Sequence, residues 1–293
     1  MGPGLDLSVI IVCYKSDEFI QGCIDSILTY SDLDPEKLEI IVVDNSPKDY
    51  AEQSFANLRK TFGLKNLRLI HNSHNGGYGQ GNNIGIRASN GKYLCIMNPD
   101  VNLVEPIYSR VLKRFAENAD LAMFGGRQLG GMNLSFYLKP EYEFRLITRF
   151  LTLFLNKLHC YHNRYMYLSG AFLFIDRAKF EEIGFFDENI FLYYEEPDIT
   201  RRFAARNYQS CFDKSMPYRH LIEGRTGMSE GGLDIWLQSA KYYFHKFNLN
   251  LRAYLRQWII FYMVIKFVYK VSRRKEQERD AGRIIDQFTK YLR

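Results

Sequence analysis

The residues best suited to do chemistry stand at the end of one short apolar segment. Residues 93–97 (Tyr-Leu-Cys-Ile-Met) carry no charge, and Asn98, Pro99 and Asp100 follow them directly. An uncharged run bounded by glycine and proline predicts a buried strand that the proline ends. Asp100 would then lie just beyond a strand end, where open α/β sheets bind ligands. Its carboxylate could hold a Mg²⁺-type cation against a diphosphate; a turn aspartate in water is the alternative.

A glycine-rich segment at 75–85 is a second candidate. It reads Asn-Gly-Gly-Tyr-Gly-Gln-Gly-Asn-Asn-Ile-Gly. Glycines permit close backbone approach, and Asn82 or Asn83 could cap a helix that follows. The free N–H groups of such a helix start favour a phosphate. The glycine spacing is not G-x-G-x-x-G and does not follow the first strand, so a dinucleotide-binding fingerprint is disfavoured.

Four apolar runs predict the strands that would position these groups, at 7–13, 38–44, 67–70 and 93–97. Helical segments near 17–28 and 48–62 separate the first three. Continuous β-branched runs are typical of parallel strands that are covered on both faces. Alternating strands and helices imply right-handed crossovers. We therefore expect an α/β fold with a doubly wound, mostly parallel sheet and a C-terminal helical extension.

Length and cysteine use indicate a reduced globular protein. The 293 residues suffice for one large α/β domain with an appendage. The five cysteines form no Cys-x-x-Cys pair, which favours free thiols over disulfides or zinc. The first residues, Met-Gly-Pro-Gly-Leu-Asp, have neither the basic nor the apolar part of a secretory signal. We therefore expect a cytoplasmic protein.

Positive charge is concentrated near the C-terminus. Residues 241–293 hold 13 Lys/Arg and 4 Asp/Glu, whereas the preceding residues hold 26 and 29. This asymmetry indicates contact with an anionic surface, and we expect a membrane rather than nucleic acid, since no nucleic-acid module is visible. The uninterrupted apolar stretch 258–265 is far shorter than the ~20 residues of a membrane span. It fits a helix lying on lipid; packing on the main domain or on a second copy in a homodimer is the alternative.

Four segments together resemble one enzyme family. They are 9–14 (Val-Ile-Ile-Val-Cys-Tyr), 41–46 (Ile-Val-Val-Asp-Asn-Ser), 75–85 and 97–101 (Met-Asn-Pro-Asp-Val). In this order they look like an inverting family 2 glycosyltransferase of the GT-A fold, in its rhamnosyltransferase-like branch. The resemblance implies transfer of a sugar from a nucleotide diphosphate donor, with dTDP-rhamnose favoured. A UDP-hexose or UDP-galactofuranose donor is also possible, because uracil and thymine present the same imide N–H edge to the protein.

The resemblance gives roles to residues of the first half. Asp44 would accept the imide N–H of the nucleotide base, in a pocket lined by Cys13 and Tyr14. Asn98 replaces the first acid of the family's acidic-x-acidic motif, so it would hydrogen-bond the nucleotide and leave Asp100 as the metal ligand. Further contacts to the sugar nucleotide are expected from Asn75, Gly79 and Asn83.

The second half matches the family at an acidic pair. The family shows two acids, one residue, an aspartate and then an arginine, which fits Glu195, Glu196, Asp198 and Arg202. By this match Glu196 is the general base and Arg202 a contact to the sugar nucleotide. Acids that only stabilise a helix start are the alternative. The preceding run 168–175 predicts a strand.

The same match completes a metal site. His220 would hold Mg²⁺ or Mn²⁺ together with Asp100, and Arg225 in the loop 224–227 would face the diphosphate. A lone histidine is more often a packed or surface residue. A non-catalytic sugar-nucleotide-binding scaffold and a nicotinamide-dependent oxidoreductase are the rival classes; donor turnover would exclude the first and a lack of NAD(P)H binding the second.

Domain organisation follows from these matches. Residues 1–235 would form the glycosyltransferase domain, with 127–167 as a variable acceptor-side insertion, and 236–293 a basic aromatic helical tail. Within the insertion, 141–158 predicts a helix that either packs on the core or meets lipid. The family implies a lipid-linked glycan acceptor in polysaccharide synthesis, and hence a protein held peripherally at the inner face of the cell membrane.

Overall fold

Strands and helices alternate along the residues that the computed structural model describes, 5–63, 65–130, 134–221 and 230–292. The strands are β1 (Leu7–Cys13), β2 (Leu38–Asp44), β3 (Leu67–His71), β4 (Tyr93–Met97), β5 (Val101–Leu103), β6 (Leu121–Leu129), β7 (Phe136–Leu138), β8 (Met166–Leu168), β9 (Phe172–Asp176) and β10 (Gln209–His220). The α-helices are α1 (Asp17–Thr29), α2 (Lys48–Phe62), α3 (Tyr78–Ala88), α4 (Tyr108–Glu117), α5 (Arg145–Lys157), α6 (Arg177–Glu182), α7 (Glu195–Ala205), α8 (Glu230–Lys246), α9 (Leu251–Val271) and α10 (Lys275–Leu292). Short 3₁₀ helices precede β2 and α5, at Pro35–Lys37 and Pro140–Tyr142.

Eight of these strands form one mixed sheet, in the order β3-β2-β1-β4-β9-β6-β10-β5. The strands β3, β2, β1 and β4 are parallel, as expected. In the other half β9 runs antiparallel between β4 and β6, and β5 is antiparallel to β10. The α/β fold with its C-terminal helices is thus confirmed, and the sheet is more mixed than predicted. The strands β7 and β8 form a separate hairpin-like pair.

Burial on both faces explains the uninterrupted apolar runs. Every side chain of β1, β2 and β4 is buried. Val9 and Ile11 belong to one core cluster, whereas Ile10 and Val12 belong to a second cluster on the opposite face. Successive side chains of a strand point to opposite faces, so a strand between two helical layers is apolar along most of its length.

Helix α3 begins where the chain needs a glycine. Its N-cap is Gly77, with φ +94°. A Cβ on Gly77 would lie 2.0 Å from the carbonyl oxygen of Phe191, and the Tyr78 N–H donates to that same oxygen at 2.9 Å. Asn82 and Asn83 therefore lie inside the helix, and the prediction that one of them caps it is wrong. The close approach of two backbones sets the helix start instead.

Two other predicted elements are shorter than expected. The predicted strand 168–175 is divided between β8, in the two-stranded sheet, and β9, in the eight-stranded sheet, with residues 169–171 between them outside both strands. The predicted helix 141–158 begins only at Arg145. All five cysteines are free thiols, in line with the sequence.

The C-terminal helices pack on the main domain and on each other. Helix α8 spans the predicted domain boundary at 235/236. Trp236, Tyr254, Trp258 and Phe288 form an apolar cluster that also includes Tyr194, just before α7. The first half of α9 is therefore part of the core. No helix within the described part of the chain is long and apolar enough to cross a membrane.

Candidate active site

Asp100 and His220 meet because their strands pair. Val101, the first residue of β5, stands opposite His220 in the antiparallel pairing with β10. The N–H of Leu221 donates to the carbonyl of Asp100 at 2.8 Å. As a result, His220 Nε2 lies 3.0 Å from Asp100 Oδ2. The structure thus brings together two residues that are far apart in the sequence.

This pair fits a shared divalent cation. Mg²⁺-type ions usually take one or two protein ligands and complete their shell with water and substrate phosphate oxygens. Among the described residues, no group of three or more His, Cys, Asp and Glu side chains is placed to hold a metal. One carboxylate and one imidazole in contact suit a cation whose remaining ligands come from a diphosphate.

Glu196, in the first turn of α7, faces the backbone of Gly170. A Cβ on Gly170 would lie 1.8 Å from Glu196 Oε1, so the carboxylate fills the space that a side chain would need. Burial raises the pKa of Glu196 to about 6, although hydrogen bonds from the backbone of Glu196 and Gly170 oppose this rise. A carboxylate with such a pKa is suited to accept a proton near neutral pH.

Glu195 beside it is more deeply buried. It is 3% exposed, and its Oε1 has no hydrogen-bond partner among the described residues. Burial, followed by the charge of Glu196, raises the pKa of Glu195 well above its usual value. The backbone that leads into the pair is strained, since Tyr193 and Tyr194 have φ values of 69° and 67°. Such strain in residues other than glycine concentrates at functional sites.

Tyr78 links the acidic pair to the metal candidates. Its hydroxyl donates to the carbonyl of Gly170 at 3.1 Å. Burial raises the pKa of Tyr78, and the charges of Glu196, Glu195 and Asp100 raise it further. The fields of all three carboxyls therefore reach one phenol. Tyr78 and Gly170 were not predicted as site residues; a glycine inside a strand pattern was the available signal, because it marks close backbone approach.

The residues that were predicted to form the base pocket lie at the carboxyl ends of neighbouring strands of the sheet. Cys13 stands opposite Asp44 at the ends of the parallel strands β1 and β2. Ile11 stands opposite Met97, which puts Cys13 level with the segment that holds Asp100. Asp44 is buried and its Oδ1 accepts the N–H of Ser46 at 2.8 Å. Burial, then the charge of Asp44, raises the pKa of the Cys13 thiol.

Neighbouring Tyr14 and Asn98 border this edge. The side chain of Tyr14 is 53% exposed, so it is accessible to a ligand. The N–H of Asn98 donates to the carbonyl of Ala171 at 2.9 Å. This bond ties the end of β4 to the break that contains Gly170.

The glycine-rich segment packs inward more than expected. Asn75 Oδ1 accepts the N–H of Gly77 at 3.2 Å and so shapes the loop. A Cβ on Gly79 would lie 3.2 Å from the Cβ of Phe186. Asn83 is buried and donates to the Phe186 carbonyl at 2.9 Å and to Glu188 at 2.8 Å. The structure therefore gives Gly79 and Asn83 packing roles and does not bring them to an open site.

Of the two predicted arginines, the structure describes only Arg202. Arg202 Nε donates to Asp198 Oδ2 at 2.7 Å, and its guanidinium donates to the Ile183 carbonyl at 2.5 Å. These bonds tie the Arg202 guanidinium to the protein's own oxygens, in α7 and just after α6. Arg225 lies outside the described residues.

The chain is similar in sequence to glycosyltransferases. A family model described as glycosyl transferase family 2 matches residues 8–184. The low-salt glycan biosynthesis hexosyltransferase Agl10 of Haloferax volcanii is 29% identical over 208 residues, which cover 69% of this chain and 62% of that protein. An uncharacterized glycosyltransferase of Bacillus subtilis, EpsJ, is 27% identical over 214 residues, covering 72% of this chain and 59% of EpsJ. The chain thus spans about 60% of the length of these two relatives.

Solved structures show the same fold. The mannosyltransferase PcManGT of Pyrobaculum calidifontis, in complex with GDP-Man and Mn²⁺, superposes with a TM-score of 0.59 at 15% identity, covering 88% of this chain and 65% of PcManGT. GalNAc-T7 with UDP, GalNAc and Mn²⁺ gives 0.61 at 14% identity, covering 82% and 48%. These likenesses confirm the GT-A-like arrangement of sheet and helices. Because the family model matches more than half of its length, the chain belongs to glycosyl transferase family 2.

Proposed function

We propose that this chain is an inverting glycosyltransferase that moves a sugar from a nucleotide diphosphate donor to an acceptor hydroxyl, with Glu196 as the general base. The observation that carries the proposal is the placement of the Glu196 carboxylate against Gly170, whose carbonyl accepts a hydrogen bond from the Tyr78 hydroxyl. The charges of Glu196 and Asp100 both raise the pKa of this tyrosine. The relatives named as glycosyltransferases support the reaction class.

In the proposed reaction Glu196 removes the proton of the acceptor hydroxyl as its oxygen attacks the anomeric carbon. The new C–O bond forms on the face opposite the diphosphate, and the breaking C–O bond leaves its electron pair on the diphosphate. One displacement inverts the anomeric centre, so no covalent intermediate on the enzyme is needed. With a pKa of about 6, Glu196 is mostly ionised at pH 7 and ready to accept the proton.

We assign donor binding to the carboxyl ends of the parallel strands. Asp100 and His220 would hold Mg²⁺ or Mn²⁺, which stabilises the charge of the leaving diphosphate. Asp44, with Cys13 and Tyr14, would bind the base. The Mn²⁺ bound in PcManGT and GalNAc-T7 supports a metal-dependent site.

The favoured donor is dTDP-rhamnose, on the resemblance to the rhamnosyltransferase-like branch. The hexosyltransferase name of Agl10 and the UDP bound to GalNAc-T7 support a UDP-hexose as the alternative. A lipid-linked glycan is the proposed acceptor, and the glycan biosynthesis role in the name of Agl10 supports it.

Melting temperatures with nucleotide diphosphates test the proposal. We would compare dTDP, UDP, GDP and NAD, each with Mn²⁺ and with a chelator, on the wild type, His220→Ala and His245→Ala. Ligand at ~100 times its Kd adds about 2.7 kcal/mol of stability. We expect stabilisation by dTDP or UDP only with metal, lost in His220→Ala and kept in His245→Ala, which changes an exposed histidine of α8. Stabilisation by NAD alone, or by no nucleotide, would refute the proposal.

A further inference from the structure

Exposed apolar side chains are concentrated in two segments of the molecule. Within the described residues, nineteen large hydrophobic side chains are exposed, and fourteen of them lie in 142–158, which contains α5, or in 260–271, the second half of α9. Single exposed apolar residues are normal, whereas a contiguous apolar patch marks an interaction surface.

Helix α5 turns its apolar side outward. Ile147, Phe150 and Phe154 are 64%, 73% and 58% exposed, and their spacing places them on one helix face. The inward face carries polar contacts as well as apolar ones: Thr152 is its buried residue, and Leu155 packs on the core. The Asn156 side chain donates to the Phe136 carbonyl of β7 at 2.9 Å. An amphipathic helix with this orientation leaves its apolar stripe without a partner among the residues that the structure describes.

Helix α9 changes character along its length. In its first half Tyr254, Leu255 and Trp258 are buried. In its second half Met263 and Phe267 are 55% and 66% exposed. The helix therefore extends from the core of the protein, and its last three turns present apolar side chains to the outside.

The two helices touch where α5 begins. The guanidinium of Arg145 lies 3.9 Å from the ring centre of Trp258, and the N–H of Arg145 donates to Gln257 at 3.0 Å. The outward sides of α5 and of residues 260–271 therefore belong to adjacent helices. We call this surface the α5–α9 face.

Charge on the two helical segments that form the α5–α9 face has one sign. Residues 144–158 contain three Lys/Arg and no acid, and residues 251–275 contain seven Lys/Arg and no acid. Glu143, just before the first segment, is paired with Arg145 at 2.7 Å. A symmetric dimer through this face would place like charges against each other. An apolar surface whose own two segments carry cations and no acids complements an anionic lipid layer instead.

We propose that the α5–α9 face docks on an anionic lipid bilayer, with both helices lying in the interface. Lys266 and Lys270 interrupt the apolar run in the sequence of α9, which suits a helix at the surface better than one across the membrane. Asn156 ties α5 to β7, and β7 pairs with β8 beside α7. Docking would therefore hold the Glu196 side of the molecule near the bilayer. The proposal stands whether or not the proposed reaction is correct.

Sedimentation with vesicles tests the docking. The full chain would be mixed with phosphatidylcholine vesicles, with and without phosphatidylglycerol at roughly a third of the lipid, at low and high salt. We expect binding to the anionic vesicles only, weakened by salt because screening shortens the reach of the charges. Absence of binding, or equal binding to both kinds of vesicle, would overturn the proposal.

Variants separate the apolar contribution from the charge. Phe150→Ser combined with Phe267→Ser should lower the partition coefficient at least about tenfold, whereas Leu28→Ser, an exposed leucine of α1, should leave it unchanged. Arg149→Gln and Lys270→Gln should each lower it roughly fivefold, and Lys60→Gln on α2 should not.

Melting temperature and oligomeric state complete the test. The changed side chains are exposed, so we expect melting temperatures and nucleotide binding to match the wild type. Vesicle binding that survives the phenylalanine double variant would overturn the proposal. So would a wild-type dimer that this variant converts to a monomer without any change in vesicle binding, since the face would then join two copies.

Discussion

Helix α7 carries two kinds of buried acid within four residues. Glu195 and Glu196 have no ion pair among the described residues, and burial raises the pKa of both. Asp198 is fully buried, yet it is ion-paired with Arg202 at 2.7 Å and with Lys246. The same lysine contacts Asp187 at 2.6 Å. Although burial opposes it, hydrogen bonds from Lys246 and its neighbours lower the pKa of Asp187 below its usual range.

The difference shows how partners decide what an acid can do. A carboxylate paired with cations holds elements together, whereas burial raises the pKa of the unpaired carboxyls in the same helix start, so that Glu196 is suited to accept a proton near neutral pH. The deciding cation, Lys246, comes from α8 in the predicted tail. The C-terminal helices thus contribute to the structure of the helix that carries the proposed base.

The largest effect is expected from the unpaired acid. Glu196→Gln keeps the shape of the side chain but removes the proton acceptor, so turnover of donor and acceptor should fall roughly 10²–10⁴-fold. Steady-state release of the nucleotide diphosphate would measure it. The matched variant Glu181→Gln, at an exposed position of α6, should retain activity. Unchanged turnover in Glu196→Gln would refute the role of this residue.

The paired acid should instead control stability. Asp198→Asn leaves Arg202 and Lys246 without their shared partner, so the free energy of unfolding should fall by about 3 kcal/mol. Urea denaturation would measure the loss. Glu52→Gln breaks an exposed pair with Lys48 and should cost less than about 1 kcal/mol. Equal costs for the two variants would show that the buried network is not what stabilises α7.

Moving the unpaired acid should matter almost as much as removing it. Gly170→Ala places a methyl group where the Glu196 carboxylate lies, and a displacement of about 1 Å can cost roughly 10²-fold in rate. Gly125→Ala is the control, because its nearest contacts would be at 3.5 Å. Kinetics and melting temperature would be compared for both variants. Full activity in Gly170→Ala would mean that the carboxylate works from another position.

The smallest effect concerns pH. The folded state raises the pKa of Glu196 from 4.5 to about 6, so it favours the neutral acid. The resulting stability is fully present below pH 4.5 and is lost as the pH rises through about 6. Glu196→Gln should therefore be more stable than the wild type by about 2 kcal/mol at neutral pH, and by nothing near pH 4. Wild-type turnover should rise through the same pH range.

Urea denaturation of the wild type and of Glu196→Gln, at neutral pH and near pH 4, would measure this gain in the free energy of unfolding. Glu181→Gln serves again as the control and should show no pH-dependent gain. A stability difference that is the same at both pH values would contradict the raised pKa.

Part of the fold could be predicted because the physical signal is local. The bounds of β1, β2 and β4 agree with the prediction at both ends. Strands covered on both faces give continuous apolar runs, and their ends are marked by charge, glycine or proline. The break between β8 and β9 was missed because the run 168–175 is uncharged and mostly apolar, whereas the contact of Gly170 with Glu196 comes from elsewhere in the chain.

Some site residues were predicted well and others were not, because contacts with distant segments decide what a side chain binds. Asp100 and His220 were expected together from the family resemblance, and the structure places them 3.0 Å apart. Asn83 and Arg202 have side chains that bond to whichever partner the fold supplies, and here those partners are Glu188 and Asp198. Their motif positions alone did not reveal this.

By itself the sequence determined the parallel strands, the positions of the acids and the basic, aromatic character of the C-terminal end. Only the tertiary structure decided which acid is paired and which apolar faces remain uncovered. The stripe of α5 illustrates the reason. Helical periodicity states which residues share a face, but not whether another element covers that face. Burial, and with it the pKa of a carboxyl or the exposure of a phenylalanine, is a property of contacts between distant segments.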